Sequence, residues 1–123
     1  MGRILIVDDS EVFIEMIVYA LKSDGYDDID IALNGQDGLA KFNENIYDLI
    51  LTDLYMPKVN GFVMVKKIRE KNKRIPILMI TKEFKDITKA KAKEIGVSGW
   101  IVKPFIPRQL TKAVSFCLSL SKS

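Results

Sequence analysis

Histidine is absent from this chain of 123 residues. Its absence excludes catalysis by an imidazole, zinc ligation through histidine, and a phosphohistidine within the chain. A histidine that relays phosphate would therefore have to come from a partner.

Cysteine and long apolar runs are also scarce. Cys117 is the only cysteine in the sequence, so an intramolecular disulfide cannot form, and a reducing compartment fits best. The longest uncharged apolar stretch is far shorter than the roughly 20 residues of a membrane span. Residues 1–3 lead directly into a strand-like run rather than a signal peptide. We therefore expect a cytoplasmic protein that makes no membrane contact.

Runs of like charge, linkers and repeats are missing as well. Lys and Arg number 19 and Asp and Glu number 16, for a net charge of +3, with no run of five or more like charges. This excess is typical of solvated lysines, and no base-reading motif is present. The length suits one domain, so we expect a single domain over residues 1–123 without direct nucleic-acid binding.

Four short runs rich in Ile, Leu and Val are each followed by polar residues. They are Ile4–Val7 before Asp8 and Asp9, Leu49–Thr52 before Asp53, Ile77–Ile80 before Thr81, and Trp100–Val102 before Lys103. Runs of this length and composition are typical of buried parallel strands. Ligands of open α/β sheets bind at the carboxyl ends of the strands. The pattern predicts that three carboxylates, a hydroxyl and an ammonium group converge at one edge of a sheet.

Helical patterns alternate with these strand-like runs. Ser10 is a candidate N-cap of the first helix, which Gly25 ends. The pairs Asn34-Gly35 and Asn60-Gly61 open the second and third helices. A weaker strand near residues 28–32 completes five βα units, which predict an α/β fold with a doubly wound, five-stranded parallel sheet. Known folds of this flavodoxin-like (βα)5 type have the strand order 2-1-3-4-5, and we adopt that order.

The last two helices differ in their apolar content. The fourth, near residues 86–95, is rich in lysine, and we expect it to be the loosest helix. Its candidates for burial are Ile87, Ala90, Ala92 and Ile95. The last helix has a wide apolar stripe formed by Leu110, Ala113, Val114, Cys117 and Leu118, with Phe116 and Leu120 at its exposed flank.

Three carboxylates meeting in a partly dry cleft would repel one another unless a cation neutralised them. Mg2+ prefers oxygen ligands, so two of the carboxylates of Asp8, Asp9 and Asp53 with a backbone carbonyl and waters make a plausible site. Asp53 would then be the nucleophile that accepts a phosphoryl group as an acyl phosphate. The Thr81 hydroxyl and the Lys103 ammonium would neutralise phosphoryl oxygens, and Lys103 would also be the counter-ion of Asp53 before reaction.

The ordered set of motifs resembles the receiver domain of bacterial two-component response regulators. The motifs are Leu5–Asp9, Asp53 followed by Met56-Pro57 and Asn60-Gly61, Thr81, and Val102–Phe105. The resemblance runs from Ile4 to about Leu120, and as a single domain the chain is similar to stand-alone, chemotaxis-type members. It implies a phosphorylation-dependent signalling switch that catalyses its own phosphorylation and dephosphorylation but is not a turnover enzyme.

The resemblance also implies a role for each residue of the acidic site. Asp53 matches the phosphoacceptor, which takes phosphate from a histidine kinase or phosphotransfer protein. Asp9 and Asp53 match direct ligands of Mg2+, and Asp8 acts largely through water. The backbone carbonyl of Tyr55 is a further ligand of the metal.

Signal output is implied by the same resemblance. Thr81 and Trp100 match a switch pair in which the hydroxyl moves toward the phosphate and the aromatic ring turns inward. The Lys103-Pro104 peptide is usually cis in the family. Output would come from the face made by the fourth helix, the last strand and the last helix, whose lysines suit an acidic effector protein. A homodimer through the last helix is an alternative to a monomer.

Departures from the family pattern concern four positions near the site. Lys82 stands where the family usually has a small residue, and it could screen the site or help to hold phosphate. Tyr55 and Glu83 occupy the two variable positions that tune hydrolysis of the acyl phosphate. Trp100 replaces the more usual Tyr or Phe of the switch, and because indole is larger its inward rotation could be incomplete. The alternative is that Trp100 only packs against the fourth helix.

Two other function classes remain as alternatives. A phosphatase of the haloacid dehalogenase type also uses an aspartyl nucleophile and Mg2+, but it needs a second acid two residues later, where this chain has Tyr55. A flavodoxin-like carrier needs a phosphate loop rich in Ser, Thr and Gly after the first strand, whereas this chain has the acidic segment Asp8–Glu11.

Overall fold

The computed structural model describes residues 2–120. Five strands alternate with five helices in the order β1 (Ile4–Val7), α1 (Glu11–Ser23), β2 (Ile29–Ala32), α2 (Gly35–Glu44), β3 (Leu49–Thr52), α3 (Gly61–Lys71), β4 (Ile77–Thr81), α4 (Asp86–Glu94), β5 (Gly99–Val102) and α5 (Pro107–Leu120). All neighbouring strands are parallel, and their order is β2-β1-β3-β4-β5. This confirms the predicted α/β fold. Residue 1 and residues 121–123 of the predicted domain lie outside the described residues.

The sheet separates two apolar cores, because successive side chains of a strand point to opposite faces. Ile4 and Ile6 of β1 pack with α1 and α5 in the first core. Leu5 and Val7 pack with α3 and the half-buried residues of α2 in the second core. Burial on both faces explains why β1, β3 and β4 are continuous apolar runs.

Helix starts and ends follow the polar residues and glycines that the sequence analysis identified. Ser10, Asn34 and Asn60 are the N-caps of α1, α2 and α3, and each side chain accepts a hydrogen bond from the backbone N–H three residues later. Gly25, with φ of 91°, follows the end of α1. Its left-handed conformation is easily adopted by glycine and turns the chain away from the helix.

The packing of α4 differs from the prediction in two residues. Within α4, only Ala92 is buried. Ile87 is 80% exposed, and Ala90 is exposed as well, so the expected burial of both is wrong. The physical reason is that this short helix contacts the core along a narrow stripe through Ala92, while Ile87 and Ala90 lie on its outer side.

The predicted stripe of α5 is partly buried. Leu110, Val114 and Cys117 are buried, and Ala113 and Leu118 pack against the same core. Phe116 is 60% exposed, as expected for the flank of the helix. None of the described helices is long and apolar enough to cross a membrane.

Charge is divided along the sheet. Residues 1–53 contain 12 of the 16 acidic residues but only 3 of the 19 basic ones. The strands of this segment, β1, β2 and β3, form one side of the sheet, and β4 and β5 form the other. The side of β4 and β5, together with the helices that follow Asp53, is therefore basic, and the side of β2 is acidic.

Candidate functional site

Three carboxylates meet where β1 and β3 end. Val7 and Thr52 are register partners in these neighbouring parallel strands, so the residues after them lie side by side. One carboxylate oxygen each of Asp8, Asp9 and Asp53 lies within 4.8 Å of the other two. Asp8 and Asp53 are buried, whereas Asp9 is exposed. The predicted convergence at the carboxyl ends of the strands is thus present in the structure.

Lys103, which follows β5, supplies a buried cation to this cluster. Its Nζ lies 2.8 Å from Asp53 Oδ2 and 2.6 Å from Asp8 Oδ2. The ammonium group also lies 4.3 Å from the centre of the Phe13 ring. The Lys103-Pro104 peptide is cis. The ammonium group pairs with two of three neighbouring carboxyl groups, so the site keeps an excess of negative charge that attracts a further cation.

The two oxygens of Asp8 are both engaged by the protein. Oδ1 accepts a hydrogen bond of 2.9 Å from the backbone N–H of Ser10, and Oδ2 accepts the bond from Lys103. Burial raises the pKa of the Asp8 carboxyl, while the hydrogen bond from Lys103 opposes this rise. Asp8 is therefore less free than Asp9 to bind a metal ion directly.

Asp53 is held at a fixed place in the cleft. Its Oδ1 accepts a 2.6 Å hydrogen bond from the backbone N–H of Leu54, and its Oδ2 accepts the bond from Lys103. Gly61, the first residue of α3, packs directly behind it, because a Cβ at this position would lie 2.3 Å from the Asp53 carbonyl oxygen. Glycine thus allows α3 to begin close enough to support the loop after β3.

Thr81 ends β4 and completes one wall of the cleft. The residue is fully buried, and its hydroxyl oxygen accepts a 3.4 Å hydrogen bond from the backbone N–H of Glu83. The cleft has a volume of about 220 Å³ and is lined by Asp9, Ser10, Phe13, Asp53, Tyr55, Thr81, Lys82 and Lys103. Carboxylate, hydroxyl and ammonium groups therefore face one small space, and its oxygen donors suit a hard cation such as Mg2+.

Glu83 connects several residues that the sequence analysis treated separately. Its Oε1 accepts a 2.7 Å hydrogen bond from the Tyr55 hydroxyl, and its backbone carbonyl accepts a 3.1 Å bond from Nε1 of Trp100. The hydrogen bond between Tyr55 and Glu83 is the main cause of a raised pKa of Tyr55 and a lowered pKa of Glu83. Sequence reasoning missed these contacts, because residues 28 or 17 positions apart meet only through the folded loops.

Trp100 lies away from the cleft itself. The ring is half buried and packs against the second core, on the side of α3. Its indole N–H is already bonded to the loop between β4 and α4. The geometry therefore links Trp100 to Thr81 through Glu83.

The family model described as "Response regulator receiver domain" matches residues 4–115. The chain belongs to this family of receiver domains. Receiver domains are signalling domains of two-component systems, so the resemblance found in the sequence is confirmed. Neither alternative function, the haloacid-dehalogenase-type phosphatase or the flavodoxin-like carrier, is supported by this family assignment.

Relatives of this receiver domain include both long and short proteins. It is 34% identical over 120 residues to the alkaline phosphatase synthesis transcriptional regulatory protein PhoP of Bacillus subtilis, covering 98% of this chain and 50% of that protein. It is 37% identical over 119 residues to chemotaxis protein CheY1 of Helicobacter pylori, covering 94% and 96%. The chain thus spans about half the length of the transcriptional regulators that it matches.

Solved structures resemble this receiver domain over nearly its whole length. Chemotaxis response regulator CheY4 of Vibrio cholerae has a TM-score of 0.89 and 37% sequence identity, with 95% of this chain and 98% of that chain covered. A receiver domain protein of Methanospirillum hungatei has a TM-score of 0.92 and 26% identity, covering 99% and 97%. The fold and the family are therefore supported by independent comparisons.

Proposed function

We propose that this receiver domain accepts a phosphoryl group on Asp53 from a phosphohistidine of a histidine kinase or phosphotransfer protein. The observation that carries the proposal is the Asp53 carboxylate, fixed 2.8 Å from Lys103 in a cleft shared with Asp9 and Thr81. A new P–O bond forms at Asp53 as the P–N bond to the donor imidazole breaks, and the imidazole nitrogen keeps that electron pair. The donor histidine belongs to the partner because this chain has none.

Mg2+ would be held by Asp9, Asp53 and the backbone carbonyl of Tyr55, with Asp8 acting through water. The acidic cluster and its hard oxygen donors support this assignment. The ion would supply positive charge next to the phosphoryl oxygens. Asp8 suits the indirect role better than Asp9, because Asp8 is buried and both of its oxygens accept hydrogen bonds within the protein, whereas Asp9 is exposed.

Lys103 and Thr81 would bind the remaining phosphoryl oxygens. Lys103 is already oriented toward Asp53, so its ammonium group needs little movement to donate to a phosphoryl oxygen. The Thr81 hydroxyl lines the same cleft, and because its oxygen accepts the bond from Glu83, that bond does not use the hydroxyl hydrogen that would donate to a phosphoryl oxygen. These two side chains act as catalytic groups in the self-phosphorylation of the domain.

Hydrolysis of the acyl phosphate would be tuned by Tyr55, Lys82 and Glu83. Tyr55 and Lys82 line the cleft, and the Tyr55 hydroxyl is held by its hydrogen bond to Glu83. A ring fixed at this place hinders a water molecule from approaching the phosphorus in line. The domain thus dephosphorylates itself slowly without being a turnover enzyme.

Output would pass from Thr81 through Glu83 to Trp100 and the α4-β5-α5 face. A ligand that bonds the Thr81 hydroxyl favours one arrangement of these linked groups. The basic side of the sheet includes this face, which supports an acidic effector protein as the partner in the cytoplasm. A homodimer through α5 is the alternative use of the exposed Phe116.

Intact-mass measurement after treatment with acetyl phosphate and Mg2+ tests the proposal. We expect the mass of one phosphoryl group to be added to the wild-type chain. Asp53→Asn, which keeps the shape of the side chain but removes the nucleophilic carboxylate, should gain none. Equal labelling of wild type and Asp53→Asn would refute the assignment, as would labelling that is unaffected by EDTA.

A further inference from the structure

Helix α4 is held weakly along its length. Only Ala92 is buried among its nine residues, and Lys85 before it makes no side-chain cap within residues 2–120. A helix of this length is not stable alone in water, so contacts at its ends decide where it lies. Those ends are attached to different parts of the protein.

The C-terminal end of α4 is bound by a guanidinium group of α3. Arg69 donates to the Gly96 carbonyl from Nε at 3.1 Å and from Nη2 at 2.7 Å. Its Nη1 donates at 3.1 Å to the carbonyl of Asn72, the C-cap of α3. One planar cation thus satisfies carbonyls at the C-terminal ends of two helices, where the helix dipole favours positive charge.

Arg69 and Gly96 fit each other closely. Gly96 has φ of 103°, and a Cβ at this position would lie 2.8 Å from Arg69 Nε. The backbone N–H groups of Gly96 and Val97 donate to the carbonyls of Lys93 and Ala92, which is the hydrogen-bond pattern of a Schellman motif. The left-handed glycine therefore turns its carbonyl toward the guanidinium group without a side chain in between.

Within the described residues 2–120, no carboxylate forms an ion pair with Arg69. Arg3 and Lys103 are the only cationic side chains that form ion pairs among residues 2–120. Arg69 is half buried, and burial lowers the pKa of its guanidinium group. A partly desolvated cation is retained where hydrogen bonds compensate for lost water, and here backbone carbonyls provide them.

The N-terminal end of α4 is attached to the candidate site instead. The Glu83 carboxylate accepts hydrogen bonds from the backbone N–H groups of Phe84 and Lys85, at 3.0 and 3.1 Å. The same residue is bonded to Tyr55 and to Thr81. A change at Thr81 therefore reaches the start of α4 directly, whereas the end of α4 is bound to α3.

We infer that Arg69 is the positioning residue that fixes the C-terminal end of α4, and that α4 pivots about this contact. Lys91, whose Nζ lies 5.5 Å from the centre of the Phe62 ring, adds a weaker contact between α4 and α3. The anchor itself is a property of the unphosphorylated protein. The pivot rests on the proposed function, because it is the response to an occupied Asp53.

Amide hydrogen exchange of the protein without Mg2+ or phosphoryl donor tests the anchor. We expect the amides of Ile95, Gly96 and Val97 to exchange at least tenfold more slowly than that of Lys89 in the wild type. Arg69→Lys keeps the positive charge but loses the planar guanidinium group that bonds two carbonyls at once. This variant should accelerate exchange at these three amides at least tenfold, while the exchange rates of α1 and α5 stay unchanged. Arg74→Lys, the same change at an exposed arginine, should leave every helix as in the wild type.

Unchanged protection of residues 95–97 in Arg69→Lys would overturn the anchor. An equal loss of protection in α1, α4 and α5, or a protein that does not fold, would overturn it too, because the anchor of one helix end leaves the first core intact. Beryllofluoride with Mg2+ then tests the pivot. Faster or slower exchange at residues 83–89 with little change at residues 95–97 is expected, and equal changes at both ends would contradict the pivot. No change at either end would count against the proposed function while the anchor stands.

Discussion

The hydroxyl of Tyr55, a residue that lines the acidic cleft, donates a 2.7 Å hydrogen bond to the Glu83 carboxylate. Tyr55 follows β3 and Glu83 follows β4, so the bond joins the loop that carries Asp53 to the loop that leads into α4. This single contact thus lies next to both the candidate phosphorylation site and the segment that leads into α4.

Tyr55 is expected to prolong the phosphorylated state. Tyr55→Ala opens the mouth of the cleft to water, so we expect the phosphoryl half-life to shorten several-fold. Tyr55→Phe keeps the ring but loses the bond to Glu83, and it should lie between Tyr55→Ala and wild type. The measurement is the decay of phosphoprotein mass after removal of the donor. An unchanged half-life in Tyr55→Ala would show that the ring does not shield the phosphoryl group.

Trp100 should report the occupied state of Asp53 by fluorescence, since it is the only Trp in the sequence. Its indole N–H donates to Glu83, whose backbone N–H donates to Thr81. Beryllofluoride with Mg2+ mimics a phosphoryl group, and we expect it to alter the emission of Trp100. Asp53→Asn should remove the response. A wild-type protein whose emission stays constant at saturating beryllofluoride would mean that Trp100 only packs and does not take part in a switch.

Removing Lys103 should leave Asp8 buried without a cation. Breaking a buried ion pair by removing one partner typically costs about 3 to 5 kcal/mol, and Lys103→Met retains much of the side-chain volume. We expect the free energy of unfolding in EDTA to fall by about 3 kcal/mol, and Mg2+ to restore part of the loss by neutralising the carboxylates.

Urea denaturation with and without Mg2+ measures this effect. Lys112→Met, at an exposed position of α5, is the control and should stay within about 0.5 kcal/mol of wild type. A Lys103→Met protein as stable as the control in EDTA would indicate that the contacts with Asp8 and Asp53 contribute little to folding.

Tyr47 makes stability depend on alkaline pH. Burial and the 2.7 Å hydrogen bond that its hydroxyl donates to Asp30 raise the pKa of Tyr47 to about 12. An unfolded tyrosine ionises near pH 10. The raised pKa means that the folded state retains the proton longer, so its contribution is full below about pH 10 and is lost as pH rises toward about 12.

Chemical denaturation between about pH 9 and 12 measures this loss, which we expect to reach roughly 2 kcal/mol. Tyr47→Phe cannot ionise and should show a shallower decline. Tyr19→Phe, which removes a tyrosine that is 73% exposed, should follow the wild-type curve. Parallel curves for Tyr47→Phe and wild type would contradict the assignment to Tyr47.

Much of the fold could be predicted because its signals are local. The apolar runs that end at Val7, Thr52 and Thr81 predict three of the strands. Because the strands are parallel, their carboxyl ends must meet at one edge of the sheet. The convergence of Asp8, Asp9 and Asp53 follows from that topology without any knowledge of side-chain contacts. Helix caps such as Ser10 were equally local, since a cap and its partner lie within one turn.

Contacts between loops could not be predicted in the same way. The bond of Lys103 to Asp8, in addition to the expected one to Asp53, depends on the distance between the ends of β1 and β5. The exposure of Ile87 depends on how far α4 extends over the sheet, which its own pattern does not specify. No sequence motif singles out Arg69 of α3, and only the course of the chain at Gly96 brings a carbonyl within its reach.

Borohydride trapping of the phosphorylated protein is the most direct test of the role of Asp53. Borohydride reduces an aspartyl phosphate to homoserine, and peptide mapping then locates the modified position among the three neighbouring carboxyl groups. We expect homoserine at position 53 after incubation with a phosphoryl donor and Mg2+, and none at positions 8 and 9. Homoserine at position 8 or 9, or its absence from all three positions in a protein that has taken up phosphate, would contradict the account.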